Sequence, residues 1–143
     1  MKVRRERGFT LVELVIGMLV VAILSAIAMP QYGEYVARQR RTDARVAMTM
    51  ATQWVERFRA ENRGVYTGAA LPPDLAVSPQ VGPAMYDLAL ANVTPTTYRI
   101  EATPRVGSPM ASDPCAVLTL ASDGQRTAAG QTSGTVFDRC WGR

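Results

Sequence analysis

The sequence predicts an α+β protein in which a long N-terminal helix packs on a C-terminal antiparallel β-sheet. Three observations support this class. Apolar residues recur with helical periodicity up to residue 63, glycine and proline are concentrated at 64–85, and short strand-like runs occupy 86–143. The 143 residues are enough for one small domain in addition to an apolar helix.

The first part of the predicted helix, residues 9–30, is long enough to cross a membrane. From Phe9 to Met29 the only charged residue is Glu13. These 21 residues would span about 31 Å as a helix, close to the roughly 30 Å of a hydrocarbon core. Pro30 removes one backbone hydrogen bond, so it predicts a kink in the helix rather than its end.

The second part of the helix, residues 31–63, has the pattern of an amphipathic helix. Apolar residues recur on one face, and the arginines fall largely elsewhere. Gly64 is a natural C-terminal stop. We expect the apolar face to cover one face of the sheet. Its members are Val36, Ala37, Ala44, Ala47, Met48, Ala51, Val55 and Phe58.

The segment 64–85 is predicted to be a connecting loop, and 86–143 to form the sheet. Strand candidates are Tyr86–Leu90, Thr97–Ala102 and Ala116–Leu120, and the turn residues 122–125 lead to another short strand.

Charge and residue types exclude several functions. Residues 1–8 hold four basic groups and one acid, a charge of +3, so only +1 of the total of +4 belongs to the rest. The chain has no histidine, which excludes Ser-His-Asp and Cys-His catalysis. We therefore predict no enzyme activity, no metal and no cofactor. In an exported domain, Cys115 and Cys140 favour one disulfide over two free buried thiols.

Two ordinary interpretations of the N-terminus leave Glu13 unexplained. A secretory signal peptide would fit the basic head, and cleavage after Ala28 would release a secreted binding domain. A plain membrane anchor would fit the apolar run. Neither has a use for an acid in an apolar helix, where ionisable residues usually have a partner and a function.

The segment Gly8-Phe9-Thr10-Leu11-Val12-Glu13 closely resembles the class III signal of type IV pilins and pseudopilins. The resemblance implies that a prepilin peptidase removes a leader of residues 1–8 by cutting between Gly8 and Phe9, and that it methylates the new N-terminus at Phe9. It also implies that Glu13 pairs with the N-terminal amine of a neighbouring subunit during assembly. A buried cation of this kind needs an opposite charge nearby.

The resemblance extends further along the chain, and it is closest to the minor pilin PilE group. It implies the type IV pilin fold, and it implies that Cys115 and Cys140 close a C-terminal D-region. The expected function is that of a pilus subunit supporting pilus biogenesis, twitching motility and adhesion. The expected partners are other pilin subunits, the prepilin peptidase and methyltransferase, and the inner-membrane assembly machinery. The subunit is expected in the inner membrane, with its C-terminal domain periplasmic, and later in the extracellular pilus.

One alternative concerns the class of protein and another concerns its partners. A type II secretion pseudopilin would share the N-terminal motif, but such proteins commonly bind calcium and lack the disulfide. The arginines between Arg38 and Arg45 could bind DNA or anionic lipids. Glu34 and Asp43 partly offset them, and no aromatic residues alternate with them for base stacking. Nucleic acid is therefore not expected as a direct specific partner.

Overall fold

The computed structural model describes residues 8–142 and contains a long helix followed by a five-stranded antiparallel sheet. The predicted fold class is therefore confirmed. Helix α1 covers Leu11–Glu61, and a short 3-10 helix covers Pro73–Leu75. The strands follow one another in sheet order as β1 (Val77–Ser78), β2 (Tyr86–Ala91), β3 (Arg99–Pro104), β4 (Leu118–Ala121) and β5 (Arg126–Ala128), and helix α2 (Thr135–Trp141) ends the fold.

The chain divides into two compact units, one ending at Val36 and the other beginning at Ala37. In the first unit the apolar side chains of α1 are exposed, as at Leu14 and Leu24. By length and composition alone, α1 is able to cross a membrane. The helix continues through Pro30 without ending, and the kink there stays a prediction. Ala37, at the start of the second unit, packs against the hydrophobic core.

The buried face of the sheet is set by the register of its strands. Leu88, Ala102, Leu118 and Ala128 pair in sequence across β2 to β5. All four are at most 4% exposed. Because side chains alternate between faces along a strand, one buried row fixes which face of each strand points into the core.

The second unit's part of α1 supplies the other half of the core. Its buried apolar residues follow helical spacing and were predicted from it: Ala44, Ala47, Met48, Ala51 and Val55. The small alanines on this face permit close packing.

Arg41 departs from the predicted pattern, which placed the arginines largely away from the apolar face. Its side chain is 1% exposed and shares that face with Ala44 and Met48. The burial is compensated by Asp113, which is 3% exposed and accepts two hydrogen bonds from Arg41, at 3.0 and 2.5 Å. A buried guanidinium is tolerated only when it is paired in this way.

Two short elements lie where the sequence predicted other structure. Strand β1 falls within the predicted loop 64–85, and it pairs with β2 over only two residues. Prolines are rare in strands, so the prolines of this segment argued against one. Helix α2 falls within the predicted sheet segment 86–143. A helix of 7 residues is too short to be stable by itself, so tertiary contacts made by Cys140 and Trp141 must hold it.

Candidate functional site

Helix α1 begins with a capping box formed by Thr10 and Glu13. The Thr10 backbone N–H and hydroxyl donate to Glu13 Oε2 at 3.1 and 3.0 Å, and the Glu13 N–H donates to Thr10 Oγ1 at 3.2 Å. The Thr-x-x-Glu spacing that produces this motif is visible in the sequence. The capping box fixes the position of the Glu13 carboxylate at the first turn.

The predicted processing residues lie close to this carboxylate. Gly8 and Phe9 directly precede the capping box, and the Phe9 side chain is 86% exposed. Pro30 and the two cysteines lie elsewhere along the chain. The arrangement places the predicted cleavage junction and an exposed aromatic residue directly before a fixed acid in the first turn of α1. The basic residues of the predicted leader before Gly8 lie outside the described residues.

The predicted disulfide between Cys115 and Cys140 is present, with the two Cα atoms 5.7 Å apart. It joins the loop before β4 to helix α2, and both cysteines are buried. The alternative of two free thiols is therefore wrong.

Trp141 fixes the end of α2 against α1 and the sheet. Its indole N–H donates to the Thr127 carbonyl at 2.9 Å, and its own carbonyl accepts a hydrogen bond from Arg45 of α1. The Arg126 guanidinium lies 5.4 Å from the centre of the indole ring, within the range of a cation–π contact. These contacts bring two arginines to the same residue, Arg45 to its backbone carbonyl and Arg126 to its indole ring.

A basic groove of about 530 Å³ opens beside Trp141, between α1 and the β4–β5 end of the sheet. None of the described side chains that line it is acidic. Burial lowers the pKa of Arg45, and the positive charges of Arg126 and Arg41 lower it further. The groove therefore has a net positive charge and favours an anion. Its lining residues are Thr42, Arg45, Val46, Thr49, Leu120, Gly124, Arg126 and Trp141.

Glu56 connects the end of α1 to the sheet. The hydroxyls of Tyr66 and Tyr98 donate to Glu56 Oε1 at 2.9 and 3.0 Å. The two rings meet edge to face, with their centroids 4.7 Å apart. Burial raises the pKa of both phenols, and the Glu56 carboxylate raises it further. The folded protein therefore favours the neutral tyrosines.

We expect the protein to lose stability at alkaline pH in a way that depends on Tyr98. The folded-state pKa of Tyr98 lies above the ordinary value of 10.0. The contribution of Tyr98 to the free energy of unfolding is therefore complete below about pH 10. It falls above that pH, because the phenol ionises at lower pH in the unfolded chain than in the folded protein. The unfolding free energy of the wild type should fall between about pH 9 and pH 11. In Tyr98→Phe this fall should be smaller by about 1 kcal/mol. Denaturant titrations at both pH values measure the effect. Tyr35→Phe, at an exposed position, should leave the loss unchanged.

Comparison with known families gives two matches along the chain. A family model described as "Type IV minor pilin ComP, DNA uptake sequence receptor" matches residues 30–119. A second, described as a prokaryotic N-terminal methylation motif, matches residues 3–29. The first alone covers more than half of the chain.

Individual relatives match over shorter stretches of the chain. The fimbrial protein EcpC of Eikenella corrodens is 49% identical over 39 residues, which are 27% of this chain and 26% of EcpC. A fimbrial protein of Pseudomonas aeruginosa is 49% identical over 41 residues, or 29% of this chain and 27% of the relative. The matched stretch thus spans about a quarter of the length of these relatives.

Among solved structures, the fold is similar to that of the non-core minor pilin PilV of Neisseria meningitidis. The TM-score is 0.55 at 20% sequence identity, covering 71% of this chain and 94% of PilV. This similarity confirms the predicted pilin fold. The match of the family model to residues 30–119 assigns the family. The chain belongs to the ComP family of type IV minor pilins.

Proposed function

We propose that this chain is a structural subunit of a type IV pilus, made as a prepilin that is cut between Gly8 and Phe9 and methylated at Phe9. The observation that carries the proposal is the methylation motif at residues 3–29, which includes the start of a helix whose apolar side chains are exposed. Exposed apolar surface on this scale needs either lipid or other subunits to cover it. Lipid would cover this surface while the subunit is in the membrane, and other subunits would cover it in the filament.

Glu13 is the residue that we propose guides assembly. The capping box uses Glu13 Oε2, and among the described residues no hydrogen bond ends on Oε1. One oxygen therefore holds the start of the helix, and the other remains for the amine of a neighbouring subunit. In an apolar environment that amine needs an opposite charge.

Before assembly, the subunit spans the inner membrane through residues 9–30 and keeps its C-terminal domain in the periplasm. The assembly machinery then transfers it into the extracellular filament with other pilin subunits. Twitching motility and adhesion belong to the assembled pilus. The length and composition of α1 support this route.

Mass spectrometry of the mature N-terminus tests the processing step. We expect the chain to begin with methylated Phe9. A chain beginning at Met29 would instead indicate signal peptidase cleavage after Ala28 and contradict the proposal.

Glu13→Gln should still insert into the membrane but enter pili poorly. Glutamine preserves the capping box, so only the charge is lost. We expect the fraction of subunit in sheared pili to fall roughly tenfold or more, because an uncompensated amine in an apolar environment costs several kcal/mol. Immunoblots of sheared pili, normalised to the membrane fraction, measure it.

Thr10→Ala is the matched control. It removes the cap, at a cost of about 1 kcal/mol, but retains the charge of Glu13. Its incorporation should stay near that of the wild type. Normal incorporation of Glu13→Gln, or an equal defect in both variants, would contradict the role of the charge.

A second proposed function is DNA binding. The matching family is described as a DNA uptake sequence receptor, and the groove beside Trp141 is positively charged. Both observations oppose the expectation, drawn from the helix arginines alone, that nucleic acid is not a direct partner. Fluorescence anisotropy of a labelled DNA duplex with the full-length chain in detergent micelles tests this function. Saturable binding that weakens with salt is expected, and no binding at low salt would contradict it.

A further inference from the structure

We propose that the basic groove between α1 and the β4–β5 end of the sheet binds a phosphodiester group of the DNA backbone between Arg45 and Arg126. The inference rests on the DNA-binding function proposed above and names the part of the protein that contacts phosphate. It concerns affinity rather than sequence recognition, because phosphate contacts carry no direct sequence information.

The first argument is charge. Some arginines of the second unit pair with carboxylates, as Arg41 does with Asp113 and Arg105 with Asp87. Within residues 8–142, neither Arg45 nor Arg126 forms an ion pair with a carboxylate. Burial lowers the pKa of Arg45, and the positive charges of Arg126 and Arg41 lower it further. An anion between the two guanidiniums would relieve this repulsion.

The second argument is preorganisation. Arg45 is held by the Thr42 hydroxyl at 2.7 Å and by the Trp141 carbonyl, so its guanidinium is fixed beside the groove. Its Nε is buried and has no hydrogen-bond partner among the described residues. Arg126 is exposed and rests over the Trp141 ring. A ligand thus meets one fixed guanidinium and one accessible guanidinium, with little loss of side-chain freedom on binding.

The third argument is the shape and lining of the groove. The groove is open to solvent. Val46 and Leu120 provide apolar walls, and the Thr42 and Thr49 hydroxyls already donate to carbonyls of α1 at 3.0 and 2.9 Å. The guanidiniums are therefore the main groups available to an anion. Arginine forks match the geometry of phosphate oxygens.

The salt dependence of DNA binding tests the inference on the full-length chain in detergent micelles. The slope of log K against log salt counts the phosphates neutralised. For Arg126→Ala we expect the slope to become shallower by about 1, with weaker binding to every duplex regardless of sequence. Arg126→Lys keeps the charge and should retain the wild-type slope.

Arg105→Ala is the matched control, because it removes the same formal charge from a pair already neutralised by Asp87. It should leave the slope unchanged. Equal slopes for Arg126→Ala and wild type would overturn the groove as a phosphate site while leaving DNA binding intact. An equal change in both alanine variants would mean that net charge alone acts, and would also overturn it. If the wild type binds no DNA, both proposals fail together.

Discussion

Asp113→Ala should destabilise the protein by roughly 3–5 kcal/mol, because it removes the carboxylate that pairs with the buried guanidinium of Arg41. Arg41 is 1% exposed, and its Nε and Nη2 donate to the two carboxylate oxygens of Asp113 as a bidentate pair. Denaturant unfolding of the full-length chain in detergent micelles, followed by tryptophan fluorescence, measures the loss. Asp113 lies two residues before Cys115, so this pair ties α1 to the disulfide region.

Two further variants separate charge burial from simple truncation. Asp87→Ala breaks an exposed pair with Arg105, and should cost at most about 1 kcal/mol. The double variant Arg41→Met/Asp113→Leu removes both buried charges and should regain most of the stability lost by Asp113→Ala. If Asp113→Ala and Asp87→Ala cost the same, the buried pair has no special role in stability.

Removing the disulfide should have an effect of similar size. Cys115 and Cys140 are 25 residues apart, and closing a loop of that length stabilises by roughly 3.5 kcal/mol in the chain-entropy model. The double variant Cys115→Ala/Cys140→Ala should show this loss in the same unfolding assay. Helix α2 is only 7 residues long, so we also expect it to loosen and expose Trp141.

A red shift of the tryptophan emission in the native baseline would report that exposure. Wild type treated with a reductant should behave like the double variant. A loss below about 1 kcal/mol, with unchanged emission, would show that packing alone holds α2 and contradict this prediction.

The sequence predicted those features that depend on neighbours along the chain. Ala44, Met48 and Ala51 are buried as their helical spacing indicated. The turn before β5 also forms as predicted, with Gln125 N–H donating to Asp123 Oδ1 at 2.9 Å. Strand β1 and helix α2 were not predicted, because elements of two and seven residues have too little periodicity to detect.

Of the two candidate sites, one could be predicted from the sequence and the other could not. The capping box of Thr10 and Glu13 could have been predicted, since its spacing of three residues lies in the sequence. The basic groove could not, because α1 supplies Arg45, β5 supplies Arg126 and α2 supplies Trp141. No local pattern indicates that these three residues meet.

By itself, the sequence determined the apolar run with its single acid, the amphipathic half of α1 and the family resemblance, because periodicity and composition are local properties. Only the tertiary structure decided the partner of each buried polar group. Arg41 has helical spacing with the core residues of α1, but its partner Asp113 is 72 residues away. Burying a charge is costly unless the fold brings its counter-ion to it, and that meeting depends on chain topology rather than on sequence spacing.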